Sequence, residues 1–386
     1  MPRTSLVGRF PRAECKAQRP LASNRGDETG FRDRRRPATA VSPRRSTERS
    51  RYRGVVVARP SLDPATAEVR RAVRRALTGM AAGRTVVVAL SGGADSLALA
   101  AAAAFEAPRL GLHVASVTVD HGLQPGSADA AATTAELARA LGLEARVARV
   151  DVGKEGGPEA AARAARYAAL AAAASDLAAD AVLVGHTLDD QAETVLLGLA
   201  RGSGAASLQG MPPVSELAPG VALVRPLLEV RRATTRAACA AEHLPFWDDP
   251  HNADPLFARV RVRERVLPVL EAELGPGIAA ALARTAAQLR EDAEAFDEMI
   301  DETIEDIVEH AEAGISVSAA ALAANPAALR HRIIRHVVAA EFGVSLTRVQ
   351  TLEVARLVTD WSGQGPIDLP GCRARRLGGR VEFTAS

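Results

Sequence analysis

The sequence predicts a doubly wound α/β fold with a mostly parallel sheet, followed by a helical linker and a small C-terminal domain. Three observations lead there. The run Thr85–Leu90, TVVVAL, is short, apolar throughout and rich in valine, as a strand buried on both faces must be. Similar runs recur near residues 112–119, 145–151 and 181–185. Between them lie stretches of helical period near 95–106, 128–141, 158–178 and 189–200, and such alternation builds a parallel sheet with helices on its faces.

Taken in chain order, residues 1–53 hold 15 basic and 5 acidic residues among many Pro, Ser and Gly. This composition cannot bury enough apolar surface to order itself. Residues 1–60 therefore read as a disordered basic tail or a start assigned too early, the alternatives being an RNA-binding arm or a targeting segment. A helix is expected from Asp63 to Ala82, with Asp63 as N-cap, Pro64 in the first position and Val69, Val73, Ala76 and Leu77 on one face. The strands and helices above then follow. Past Arg225 the strand signal fades, and 229–243, 257–273, 276–312, 318–340 and 346–359 read as helical. Residues 366–384 return to strand-like alternation among Gly and Pro. The expected divisions are 61–245 for the α/β domain, 246–313 for the helical linker and 314–386 for the C-terminal domain.

Aromatic residues make up only 3%, so the core must be built from Ala, Leu and Val. Lys16 and Lys154 are the only lysines beside 46 arginines, so an arginine in place of lysine says little about function. Beyond residue 53 the chain has 33 basic and 41 acidic residues, so any nucleic-acid surface there must be a local patch. Cys15, Cys239 and Cys372 form no CxxC pair, which speaks against a cysteine metal site and a disulfide framework and fits a reducing cytoplasm. No apolar run approaches the 18 or so residues of a membrane span.

Four motifs carry chemistry. Ser91-Gly92-Gly93-Ala94-Asp95-Ser96 follows the TVVVAL strand and opens a helix, where backbone N–H groups converge on an anion. No lysine is near, so it is not a Walker A loop, and Asp95 makes sense beside phosphate only if Mg²⁺ stands between them. Val119-Asp120-His121-Gly122-Leu123 ends the second strand, with His121 read as a local hydrogen-bonder. Glu159, Arg163, Arg166 and Tyr167 have helical spacing, either as a solvated face or as anion contacts. Asp189, Asp190 and Glu193 crowd the start of a helix, Asp189 and Glu193 on one face and Asp190 suited to capping. Such a cluster calls for a cation: Mg²⁺, an arginine or a substrate amine. Farther on, Arg259, Arg261, Arg263 and Arg265 suggest a phosphate-binding stripe, with Arg259 and Arg263 on one helix face and Arg261 and Arg265 on the next. Two more basic clusters stand at Arg330, Arg332 and Arg335 and at Arg373, Arg375 and Arg376.

The SGGADS string after a buried strand resembles the signature of the PP-loop ATP pyrophosphatases, which implies a Rossmann-like sheet in the order 3-2-1-4-5. VDHGL at 119–123, the E-x3-R-x2-RY spacing at 159–167 and above all GHTLDDQAETVLLGLARGSG at 185–204 resemble the tRNA(Ile)-lysidine synthetases. So do RPLL at 225–228, WDDPHN at 247–252 and RVRVRERVLPVL at 259–270, except that His251 and Val260 stand where that family has Ser and Asn. The likeness runs from about 65 to 384. It implies adenylation of C2 of cytidine 34 in a tRNA(Ile) with a CAU anticodon, then attack by L-lysine. ATP with Mg²⁺ would lie on Ser91–Ser96, the metal on Asp95. Asp189 and Glu193 would receive the lysine amine, Arg163 and Arg166 would contact ATP phosphate or the tRNA backbone, and Arg259–Arg265 would face tRNA. The resemblance admits a homodimer. The competing readings are a tRNA 2-thiolase of the same superfamily and a non-catalytic nucleotide- or RNA-binding protein.

Overall fold

The computed structural model describes residues 62–122, 126–151, 153, 158–202, 204–248, 254–311 and 314–386. The expectation for residues 1–60 lies outside them. The described residues fall into two compact units: those within Met1–Gly185 and Val214–Asp248, and those within His186–Pro213 and Asp249–Ser386.

The first unit starts at α1 (Pro64–Leu77), where Asp63 accepts from the N–H groups of Ala65 and Thr66 at 2.9 and 3.1 Å. There follow β1 (Thr85–Ala89), α2 (Ala94–Glu106), β2 (His113–Asp120), α3 (Ser127–Ala140), β3 (Glu144–Arg149), α4 (Pro158–Asp176) and β4 (Ala181–Leu183). β1 lies between β2 and β4, parallel to both. Alternation along it serves two layers: Val86 and Val88 pack with Val73 of α1, Leu97 of α2 and Ala238, while Val87 and Ala89 pack with Leu170 and Ala174 of α4. Short alanine side chains fill much of both layers.

Beyond β4 the order departs from expectation. Next to β4 lies β6 (Val221–Val224), parallel to it, and β5 (Val214–Ala218) pairs antiparallel with β6 at the edge. The six strands run β3-β2-β1-β4-β6-β5. The sequence reading contains no strand here, because four- and five-residue strands about a Pro-Gly turn are too short to set a period. α7 (Arg232–Ala241) closes the unit against α1 and α2. 

The second unit holds α5 (Leu188–Ala200), α6 (Ala205–Leu208), α8 (Ala258–Arg261), α9 (Leu267–Glu273), α10 (Ile278–Ile307), α11 (Ala319–Ala324), α12 (Ala327–Phe342) and α13 (Arg348–Thr359). A five-stranded antiparallel sheet accompanies them: β7 (Val308–Ala311), β8 (Gly314–Ser318), β9 (Ile367–Leu369), β10 (Cys372–Leu377) and β11 (Arg380–Ala385), in the order β7-β8-β11-β10-β9. The helix expected over 276–312 ends at Ile307 and turns into β7. The helix expected over 318–340 is broken by Pro326, which cannot continue the backbone ladder, into α11 and α12. Residues 246–313 do not stand apart as a linker, because α10 packs on α5 and α12 alike. Ile300 and Ile307 of α10 enter one core with Ile333, Val354 and Phe383. Among the described residues no single helix is long and apolar enough to cross a membrane.

Candidate active site

The phosphate loop stands between β1 and α2, at the carboxyl edge of the parallel sheet, where α/β folds place ligands. Gly92 has φ +84°, and a Cβ there would lie 2.7 Å from the Thr134 hydroxyl, so only glycine satisfies both backbone and space. The loop is laced from within. The Ser96 hydroxyl accepts from the Ser91 N–H at 3.1 Å, lies 3.0 Å from the Ser91 hydroxyl and donates to the Gly93 carbonyl at 3.0 Å. Trp247 donates its backbone N–H to the Gly92 carbonyl at 3.0 Å. Because that peptide is planar and trans, the Gly93 N–H must point the other way. Ala94 is buried as the first residue of α2.

Asp95 follows in the first turn of α2. The buried Thr235 hydroxyl donates to its Oδ1, and Arg232 Nε lies 3.5 Å from its Oδ2. Both partners come from α7, which also sends the Cys239 thiol to the Ala94 carbonyl at 3.4 Å. From the same helix Arg236 forks onto Asp248 at 2.7 and 2.9 Å, holding that carboxyl below its usual range. Gly185, just after β4, approaches the loop from the adjacent strand: a Cβ there would meet the Asp95 carbonyl carbon at 3.0 Å. 

At the end of β2, Asp120 is buried and held below its ordinary pKa by the Ser127 hydroxyl, the Gly122 N–H and Arg149. His121, read as a local hydrogen-bonder, has its Nδ1 buried with no hydrogen-bond partner among the described residues. Burial, and then the nearby Arg166, lower its pKa. Arg163 does not share this position. It lies over the Tyr167 ring, 4.8 Å from the centroid, and donates to the Tyr167 hydroxyl at 3.2 Å.

In the second unit, Thr187 and Asp190 form a capping box at the start of α5, with Asp190 Oδ2 accepting from the Thr187 N–H and hydroxyl at 2.8 Å. Asp189, in the same turn, is partly exposed. Glu193 is fully buried and takes Arg263 at 2.7 and 3.1 Å and Arg259 at 3.4 Å. Arg259 also donates to the Thr194 hydroxyl at 2.8 Å, and Arg263 lies 3.7 Å from Asp190. The cation called for by the acidic cluster is thus, in this structure, a pair of arginines. Residues 262–266 form a π-helical turn rather than continuous α-helix, yet Arg259 and Arg263 still reach one carboxylate. Arg261 is exposed and donates to the carbonyls of Pro255 and Leu256 at 2.8 Å, while Arg265 is exposed. Val260, which replaces the family's Asn, is buried, and His251 lies outside the described residues.

Sequence reasoning passed over Arg232, Thr235 and the Trp247 backbone. The one available signal was Arg231-Arg232 at a helix start, where the dipole disfavours cations. It also missed Gln191, buried in α5, which exchanges two hydrogen bonds with the Met211 backbone at 2.8 and 2.6 Å. Arg290 of α10 donates to the Met211 carbonyl at 3.0 Å.

The profile of the PP-loop domain matches residues 65–270, and that of the TilS substrate binding domain matches residues 318–381. The tRNA(Ile)-lysidine synthase of Leifsonia xyli subsp. xyli (strain CTCB07) is 60% identical over 306 residues, 79% of this chain and 91% of that protein. That of Thermobifida fusca (strain YX) is 51% identical over 327 residues, covering 83% and 98%. The U34-tRNA thiolase NcsA from Methanococcus maripaludis, solved with its [4Fe-4S] cluster, shares the fold at a TM-score of 0.51 and 21% identity, over 59% of this chain and 80% of that one. The chain is an ATP-dependent ligase of the tRNA(Ile)-lysidine synthase family, built on a PP-loop domain and a TilS substrate binding domain.

Proposed function

We propose that this chain converts cytidine 34 of a tRNA(Ile) with a CAU anticodon to lysidine, using ATP and free L-lysine. The observation that carries the reading is the braced phosphate loop, with Gly92 in its left-handed conformation and Asp95 held beside it. The C2 carbonyl oxygen of the base attacks the ATP α-phosphate, an O–P bond forms, and the α–β anhydride breaks to release pyrophosphate. The lysine ε-amine then attacks C2 and AMP leaves.

Ser91–Ser96 are the residues proposed to hold the pyrophosphate end of ATP through their N–H groups. Magnesium, arriving with the nucleotide, needs few protein carboxylates because phosphates complete its shell. Asp95, the one carboxylate within the loop, is the residue proposed to meet that demand. Bound there, a magnesium ion would neutralise phosphate charge. Arg166, half-buried by the end of β2, is proposed to supply cationic support to ATP, and Arg163 to meet the tRNA backbone.

Free lysine has a pKa of about 10.4, so its amine must shed a proton before attack. Asp189 and Glu193 are the carboxylates proposed to receive it. Asp189 is partly exposed, at the start of the same helix as Glu193. Glu193 takes an ammonium only if Arg259 or Arg263 gives way. Arg261 and Arg265 are the members of the arginine stripe that face solvent and suit tRNA phosphates. These substrates are cytoplasmic, which is where the enzyme would act. The test is mass spectrometry of nucleosides from tRNA(Ile) incubated with the protein, ATP and lysine. Lysidine that forms only when all three are present supports the reading, and unmodified cytidine sinks it.

A further inference from the structure

Arg232 has no role in the scheme above, yet it sits against the loop's only carboxylate. It opens α7, where the helix dipole works against a cation and where Arg231 precedes it as N-cap without a side-chain cap. Its Nε is 3.5 Å from Asp95 Oδ2, looser than the 2.7 Å pairing of Arg236 with Asp248 one residue-turn along the same helix. Thr235 reaches the other oxygen of Asp95, a tie to that carboxylate made without the Arg232 side chain, and its hydroxyl also lies 2.8 Å from the Arg232 carbonyl. The guanidinium is about one-fifth exposed, so one side of it reaches solvent.

We propose that Arg232 is a phosphate-contacting catalytic residue: counter-ion to Asp95 while the loop is without nucleotide, and partner of the leaving pyrophosphate once magnesium and ATP arrive. This rests on the functional reading above. The physical reason is charge balance. A dication on Asp95 would weaken the attraction between that carboxylate and Arg232, and the same event would bring a polyphosphate to the loop. A guanidinium fits phosphate oxygens with two donors in a plane. It is then aimed at charge that grows on the β-phosphate as the anhydride breaks, the point where a fixed cation lowers the barrier most. Thr235 acts as a positioning residue, keeping Asp95 in place during the exchange.

The experiment uses the full chain with Arg232→Gln and Arg232→Lys beside wild type. Calorimetry measures binding of magnesium pyrophosphate without tRNA, single-turnover assays follow pyrophosphate release at saturating ATP, and melting temperature monitors the fold. The proposal expects R232Q to adenylate about 10²-fold more slowly and to bind magnesium pyrophosphate about tenfold more weakly, with R232K between it and wild type. If R232Q melts lower but adenylates and binds pyrophosphate within about threefold of wild type, a difference under 1 kcal/mol, Arg232 is a structural counter-ion and the proposal is overturned. Should R232Q fail to fold, R232K decides: weaker pyrophosphate binding supports the proposal, and wild-type binding and rate overturn it. Wild type itself separates the two levels of inference. Its failure to release pyrophosphate overturns the functional reading, whereas equal release by wild type and R232Q overturns only the role of Arg232.

Discussion

Arg263 grips Glu193 through two parallel hydrogen bonds, Nε to Oε1 at 2.7 Å and Nη2 to Oε2 at 3.1 Å, and the carboxylate so held has no exposure to solvent. Such a forked, charge-assisted pair is strong in its geometry but costly to break from one side.

Glu193→Gln should therefore lower stability. Both guanidinium groups retain some exposure and can turn outward, so the loss is expected near 2 kcal/mol, below the range for a wholly buried pair. Urea unfolding measures it. In single-turnover assays with labelled ATP, adenylated tRNA should still form while lysidine formation slows about 10²–10⁴-fold. A block at adenylation would instead assign Glu193 to the ATP step and leave Asp189 for the amine.

Asp95→Ala should abolish pyrophosphate release with the fold retained by circular dichroism. Its side chain ties α2 to α7 through Thr235 and Arg232, but the Cys239 thiol and the apolar layer still join these helices. Release at near wild-type rate would remove Asp95 from the phosphate site.

Gly92→Ala meets two obstacles: φ of +84° and the Thr134 hydroxyl 2.7 Å from the new methyl. A cost of about 1–3 kcal/mol and weakened ATP binding are expected. Adding Thr134→Ala should recover the steric part and leave the backbone part. A double variant no more stable than Gly92→Ala would show that the hydroxyl is not the obstacle.

Arg265→Ala and Arg259→Ala should separate in their salt dependence. Losing the exposed Arg265 should flatten the salt dependence of tRNA affinity by about one unit of slope. Losing Arg259, turned onto Glu193 and Thr194, should spare that slope and cost stability. Equal slopes for wild type and Arg265→Ala would take Arg265 off the tRNA surface.

Burial raises the Cys239 thiol to about 11. The thiolate is the nucleophile, so Cys239 should resist iodoacetamide at pH 8 in the folded protein and react on unfolding. The unfolded thiol gives up its proton first as pH rises through about 9, so this group's contribution to stability is intact below that pH and declines between 9 and 11. Rapid alkylation of the native protein would contradict the burial.

Sequence was most informative where local chemistry decides local structure. Asp63-Pro64 caps its helix as expected, and the SGGADS turn opens α2 where the strand ends. It was least informative where two remote segments meet. Nothing near Thr235 announces Asp95, 140 residues earlier. The acids of α5 show that a cation is wanted, but which one depends on a π-helical turn near residue 263 that no period in the sequence marks. The hairpin β5–β6 and strand β7 escaped because four or five residues cannot display a period of two against alanine-rich surroundings.

The borders of the six-stranded sheet bear on how the protein behaves in a crowded solution. Its central strand, TVVVA, is the kind of segment that stacks into fibrils when its neighbours are stripped away. One border, β3, is studded with exposed Glu144, Arg146 and Arg149, and the other, β5, is kinked by a register shift between Glu216 and Ala218. Neither presents a flat apolar rail for another molecule to extend. Neutralising Glu144 and Arg146, which pair with each other and not with Asp120, should therefore show itself first as precipitation on concentration or refolding, while the dissolved fraction remains fully competent.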